Sequence, residues 1–428
     1  MRRVGGLAAR CPRATVRSVR LPIRLRDLVR RDAPPPGTAT RWGRAVAATD
    51  PPKLYRVLLG REPTARELED ARDRDLHDVA RRIVASREAR RRFGVGGADG
   101  LLAGSATAAA AHPPGAASED GVAVVGRDGW LFIAHGANDF VRQVTGEMPL
   151  PEASIVAWTA LLATQRDAAA HAGARLAQLV IPDKLVLYGD LFPTVLQPVG
   201  PRPVEQLLAA EPDDLLYPLE ELRARRATAD AYFVTDSHTS PAGADILYRA
   251  VMRQLGREPW EPAFTRPLVQ GVMLGDLGVK YMPKLYEVVD IPVKYESVAM
   301  IRDNAKPILG LGGHLGVQRV VRNEAAPYDE TCVIFGDSYS YIDLDAPGNL
   351  GELLAATFRE VHFLWAPFCW DESYVRELGP DHVVMQMAER FAIMTPRGNV
   401  DVRELAAETI RRKAGVPPDE VAQILGDA

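Results

Sequence analysis

Residues 332–342 read CVIFGDSYSYI. Cys332, Val333, Ile334 and Phe335 are an unbroken apolar run, the pattern of a buried strand. The run leads into Gly336-Asp337-Ser338. Glycine permits a tight exit from the strand, and Ser338 then stands at the carboxyl edge of a sheet. There the neighbouring N–H groups can face a developing oxyanion. Working outward, the sequence predicts strands at 176–181 and 361–367 and a last core element over 383–394. Helical patterns separate them, at 151–172 and over SPAGADILYRAVMRQL, where Ser240 caps and Pro241 takes the first position, at which its missing N–H costs nothing. The stretch LLYPLEELRARRATADAYFV predicts a helix, a turn and a strand ending at 235, and GVAVVGRDGWLFIAHG a hairpin turning at Asp128-Gly129. Strands alternating with helices predict a mostly parallel α/β sheet flanked by helices.

An alcohol is a poor nucleophile without a base, and Gly-Asp-Ser is also an ordinary turn, so Ser338 needs a partner. TDSHTSPAGA at 235–244 supplies a candidate. His238 lies between a predicted strand end and a proline-started helix, and Asp236 two residues earlier can hold one imidazole nitrogen while the other faces Ser338. That is the orienter, base and nucleophile relation of a hydrolytic triad.

The GDSYS turn resembles the first block of the SGNH hydrolase superfamily. The order, with DSH about a hundred residues before GDS, resembles its alginate acetyltransferase branch, the AlgX/AlgJ-like proteins. Four further stretches resemble that branch: GRDGWLFI at 126–133, VIPDKLVLYGDLFP at 180–193, GDLG at 275–278 and PDHVVMQMAER at 380–390. The resemblance spans residues 119–395. It implies an SGNH-hydrolase-like (flavodoxin-like) α/β domain in which Ser338 accepts an acyl group, His238 is the general base and Asp236 orients it. It also implies O-acetyl transfer to a carbohydrate or glycoside acceptor, from a thioester or an acyl-carrying partner protein, with no cofactor. A carbohydrate esterase or deacetylase with the same triad, and a non-catalytic scaffold of a polysaccharide or natural-product assembly system, stand as alternatives.

Other polar residues are weaker candidates for the substrate side. Lys184, after the strand end in IPDK, can touch the substrate rim, and Asp276 in GDLG can line the site or cap a turn. Tyr339, Trp365 and Trp370 fall near the sheet's carboxyl edge, where they can stack on a sugar ring or belong to the core. Asn138 in HGANDF resembles the GxND block that supplies an oxyanion donor elsewhere, and a family-specific structural or substrate-side role is the reading preferred. His314 lies in the glycine-rich GLGGHLG. Metal ligation is not indicated: His362 and His382 lie twenty positions apart without ligand spacing around them.

The chain has 428 residues, 47% of them apolar, ample for a sizeable core. Fifty-two Lys and Arg against 56 Asp and Glu give a net charge of -4, which argues against a general nucleic-acid binder. Three scattered cysteines, Cys11, Cys332 and Cys369, make neither a disulfide framework nor a zinc site and fit a reduced, cytoplasmic compartment. The first 31 residues hold ten arginines and one acid, Asp27. The arginines interrupt every candidate secretory or membrane-spanning segment. A disordered basic tail is expected, or an amphipathic segment with Val16, Val19 and Ile23 lying peripherally on anionic lipid.

The expected organisation is a basic tail and linker (1–50), a small all-helical domain (51–95), a linker (96–118), the catalytic domain (119–395) and C-terminal helices (396–428). In the helical domain Leu54, Tyr55, Leu58 and Leu59 form one stripe ended by Gly60, and Leu76, Val79, Ala80, Ile83 and Val84 another. Thr64 and Glu67 are spaced as a capping box. This domain resembles the small helical domain with the signature LLGREP found in bacterial surface-polysaccharide enzymes, and docking or packing is its expected task.

Overall fold

The computed structural model describes residues 112–425 apart from 137, 212–214, 283, 345–347, 418–419 and 422–423, with backbone only at 269–272. Before them it describes 51–52, 55, 61–72, 74, 79, 82–83 and 86. The expectations for the basic tail, for Leu54, Leu58, Leu59, Gly60, Leu76, Ala80 and Val84, and for most of the linker at 96–118 lie outside the described residues. Within them, Thr64 caps the helix Ala65–Ala71 by the predicted box: its hydroxyl accepts from Glu67 N, and the Glu67 carboxylate accepts from Thr64 N at 2.7 Å.

Strands β1 (Ala123–Val125) and β2 (Leu131–Ile133) form the predicted hairpin. Asp128 and Gly129 between them have φ of 54° and 77°, the left-handed pair that a tight hairpin turn demands. Strands β3 (Arg175–Ile181) and β4 (Leu215–Leu216) enter the main sheet, whereas β5 (Leu268–Met273) and β6 (Glu287–Pro292) pair with each other alone. Then come β7 (Val298–Asp303), β8 (Gln318–Asn323), β9 (Tyr328–Gly336), β10 (Phe358–Trp365), β11 (Cys369–Trp370), β12 (His382–Ala388) and β13 (Gly398–Asn399), with β11 and β13 pairing apart from the main sheet.

The main sheet has the order β4-β3-β12-β9-β10-β8-β7. Strands β4, β3, β12, β9 and β10 run parallel, and β8 and β7 are antiparallel additions at one side, so the sheet is mixed. Those two strands come from 298–323, a stretch in which no strand was expected. Helices pack on both faces, which explains the unbroken apolar run of β9. Cys332 and Ile334 join the core beneath the helices Pro241–Gln254 and Leu350–Thr357, and Val333 and Phe335 join the core beneath Glu152–His171 and Pro203–Ala210. Successive side chains point to opposite faces, and each full burial of this kind stabilises by about 1.5–3 kcal/mol. Among the described residues no helix is long and apolar enough to cross a membrane.

One predicted strand does not form. Residues 229–239 carry a single isolated bridge, Tyr232 to Thr239, in place of a strand ending at 235. Their backbone is held by side chains from elsewhere together with scattered backbone bonds, among them those from Leu131, Leu277 and Gly278.

Candidate active site

The turn after β9 is built on close contacts. A Cβ at Gly336 would lie 2.5 Å from Ser340 Oγ and 2.8 Å from Gln386 Oε1, so no side chain fits there. Asp337 is buried and its carboxylate accepts from Tyr339 N (2.9 Å), Gln386 Nε2 (2.8 Å) and Ala388 N (2.6 Å). Gln386 and Ala388 belong to the neighbouring strand β12, so the turn is anchored to the sheet. These bonds leave Ser338 half-buried while Gly336, Asp337, Tyr339 and Ser340 are buried. Tyr339 and Ser340 spend their N–H groups on Asp337, whereas among the described residues the Ser338 N–H makes no hydrogen bond. An N–H left open in this way is the kind of donor that a developing oxyanion needs.

The loop 235–240 approaches from the side. His238 Nε2 lies 2.7 Å from Ser338 Oγ, and Nδ1 lies 2.6 Å from Asp236 Oδ1. A carboxylate only accepts, so Nδ1 carries the proton and Nε2 is the acceptor for the serine hydroxyl. Asp236 Oδ1 also accepts from His238 N (2.9 Å) and Oδ2 from Asp276 N (2.7 Å). Burial pushes the Asp236 carboxyl up, but the facing imidazole and these hydrogen bonds outweigh it and hold it below the usual carboxylate range. Asp276 in turn accepts from Ser237 N and Ser237 Oγ, each at 2.7 Å, and its carboxyl is raised by burial and by the charge of Asp236. Gly275 makes this possible: a Cβ there would sit 2.1 Å from Thr235 O. Tyr339 ties the two halves together, donating from its hydroxyl to Ser237 O at 2.7 Å with its ring against His238.

Several expected substrate contacts are corrected. Lys184 does not reach a rim: it is 2% exposed and its Nζ donates to Val234 O (2.8 Å) and Asp236 O (3.0 Å). Tyr339 is 1% exposed and committed to Ser237 and Arg390, so it offers no face to a sugar. Trp365 is buried among Tyr341, Phe363 and His314, and Trp370 against Phe335. Aromatic rings at strand ends were gathered into the core because helices cover both faces of the sheet. Asp276 lies in the site but acts on the Ser237 backbone and hydroxyl. Asn138 is half-buried, and its carbonyl accepts from Gln143, which also bonds Arg390 O.

Asp236, His238 and Asp276 present three ligand atoms within 4.8 Å of one another. Those groups are engaged in the hydrogen bonds above. The sequence reading missed Glu287, Gln386, Glu389 and Arg390 as parts of this construction. The signal available was a lone polar residue in an apolar stretch, as Gln386 is in VVMQMA and Glu287 is before VVDIP.

Residues 123–270 match a family model described as SGNH hydrolase-like domain, acetyltransferase AlgX. The matched stretch contains Asp236 and His238 and ends before Ser338. No curated protein matches the chain. Solved structures similar to it include the O-acetyltransferase domain of Pseudomonas putida AlgJ, at 15% identity over 72% of this chain and 99% of that one, with a TM-score of 0.37. Bacillus cereus PatB1 shows 14% identity, 64% and 97% coverage and a TM-score of 0.41. Pseudomonas aeruginosa AlgX shows 15% identity, 68% and 66% coverage and a TM-score of 0.32. Over residues 123–270 the chain is thus similar to the SGNH hydrolase-like domain of the acetyltransferase AlgX.

Proposed function

We propose that this protein is a serine-dependent O-acyltransferase that carries an acetyl group on Ser338 and delivers it to a sugar hydroxyl. The observation that supports the reading is the continuous chain Asp236 Oδ1, His238 Nδ1, His238 Nε2, Ser338 Oγ, with contacts of 2.6 and 2.7 Å. In the first step the Ser338 Oγ–H proton passes to His238 Nε2 as Oγ bonds to the acyl carbon. The negative charge goes to the carbonyl oxygen, towards the Ser338 N–H. The tetrahedral adduct collapses, the bond to the leaving alcohol or thiol breaks, and His238 returns the proton to that group. The acceptor hydroxyl then repeats the sequence in reverse: His238 takes its proton, the new ester forms, and Ser338 is released protonated. Asp236 remains ionised throughout and holds the imidazolium.

The test is intact-protein mass after incubation with p-nitrophenyl acetate, on the wild type, Ser338→Ala and His238→Ala. An acetyl adduct of about 42 Da on Ser338, absent from the serine variant and slow to form in the histidine variant, is the expected result. A sugar acceptor that diverts the acetyl group from acetate release to acetylated sugar marks transfer, and unchanged acetate release marks an esterase. No adduct and no turnover in any of the three would leave a scaffold as the better reading.

A further inference from the structure

We infer that Lys184 and Glu287 are a pair of positioning residues, a buried cation and a buried anion that grip the same short backbone segment and so aim Asp236 at His238. The inference rests on the proposed roles of Asp236, His238 and Ser338. Its starting point is the strand that does not form. Buried peptide groups need partners, and residues 234–236 have no strand ladder to supply them. Lys184 Nζ serves the carbonyls, donating to Val234 O and Asp236 O. Glu287 serves the amides: its carboxylate accepts from Val234 N (3.0 Å), Thr235 N (2.7 Å) and Thr235 Oγ1 (2.6 Å). The remaining bonds come from Leu131 N to Val234 O, and from Leu277 N and Gly278 N to Thr235 O.

The two charges come from different parts of the chain. Lys184 opens the short helix Lys184–Leu187 after β3, and Glu287 begins β6 in the separate hairpin. The segment between them is therefore referenced both to the main sheet and to the hairpin. Lys184 and Glu287 are 2% and 5% exposed, and a buried charge without partners is costly, so each depends on the peptide groups it holds. The faces of Trp130 and Phe132 lie 5.0 and 5.6 Å from Nζ and complete the cation's surroundings. The acids facing Lys184 are Glu287, Asp236, Asp276 and Asp183. Burial lowers the ammonium to about 8 against their pull, and burial raises the Glu287 carboxyl against Thr235, Val234 and Lys184. Above that pH the lysine loses the charge that draws both carbonyls to it.

The experiment compares full-length wild type, Lys184→Met and Glu287→Gln. It reads p-nitrophenyl acetate turnover across pH, thermal unfolding, and the imidazole titration of His238 by NMR, assigned by its absence in His238→Gln. Glu287→Gln keeps shape and one acceptor and carries the test should Lys184→Met not fold. Misplacing the base predicts a fall in kcat of about ten- to a hundred-fold with KM nearly unchanged. It also predicts a displaced His238 titration in both variants, a decline in wild-type kcat above about pH 8, and loss of that decline in Lys184→Met. A purely structural role would lower the unfolding temperature without moving the His238 titration or the alkaline limb. Folded variants with wild-type kcat and an unmoved His238 titration overturn the inference. A wild type that forms no acyl-enzyme, while the His238 titration still moves in the variants, overturns the acyl-transfer reading and leaves the clamp standing.

Discussion

Ser338, the proposed nucleophile, follows β9, the central strand of a seven-stranded sheet, whereas His238, the proposed base, stands on a segment with one isolated bridge. The two meet at a single hydrogen bond, but their backbones are secured differently. On the nucleophile side, ladders to β12 and β10 bring the chain to Gly336, and the Asp337 carboxylate finishes the turn against β12. On the base side, Lys184, Glu287, Asp276 and the hydroxyl of Tyr339 do the work of a ladder. A ladder is many similar bonds, each replaceable by its neighbours; a few buried charged groups are not. The base side is thus the more vulnerable to single substitutions.

The largest expected effect breaks the base side at its orienter. Asp236→Asn removes the acceptor that fixes the imidazole tautomer, and kcat for ester turnover should fall by about 10⁴-fold with the fold retained. Equal activity in Asp236→Asn and wild type, measured by steady-state kinetics with matched circular dichroism, would show that His238 needs no orienter.

Glu389 is linked to both sides through the chain: it follows Ala388 of β12, which bonds Asp337, and it bonds Asp183, the neighbour of Lys184. Its carboxylate accepts from Asp183 N, Tyr217 OH and Arg202, and it follows β12 directly. Burial raises its carboxyl from 4.5 to about 7, with Arg202 opposing. A folded-state value above the unfolded one means that the folded protein binds the proton more tightly. The associated stability is complete below about pH 4.5 and is lost as pH rises to about 7, on the order of 3 kcal/mol. Glu389→Gln should flatten the dependence of unfolding temperature on pH across that window. An unchanged slope would place the titration elsewhere.

The smallest effect is expected on the nucleophile side. Asp337→Asn leaves one of three N–H donors without its acceptor and should cost about 1–3 kcal/mol in urea unfolding. Because β9 remains paired on both sides, turnover should drop less than in Asp236→Asn. A larger loss would reverse the ranking of the two sides.

Much of this site was legible before the fold was known, and the reason is local. An apolar run ending in Gly-Asp-Ser, a proline-started helix capped by Ser240, and a hairpin turn at Asp128-Gly129 each depend on interactions within a few residues. So does the relation of Asp236 to His238, two positions apart. What escaped the sequence was decided over long separations. Glu287 lies 52 positions from Thr235, Lys184 lies 52 from Asp236, and Gln386 lies 49 from Asp337. Sequence alone located β9, the hairpin turn at Asp128-Gly129 and the helix start at Ser240, because hydrophobic period and turn chemistry are short-range. Only the tertiary structure decided that Lys184, Tyr339 and Trp365 turn inward, that β7 and β8 add antiparallel to the sheet, and that 229–239 forgo a ladder. Those outcomes depend on which buried groups find partners, and that is settled when distant segments pack.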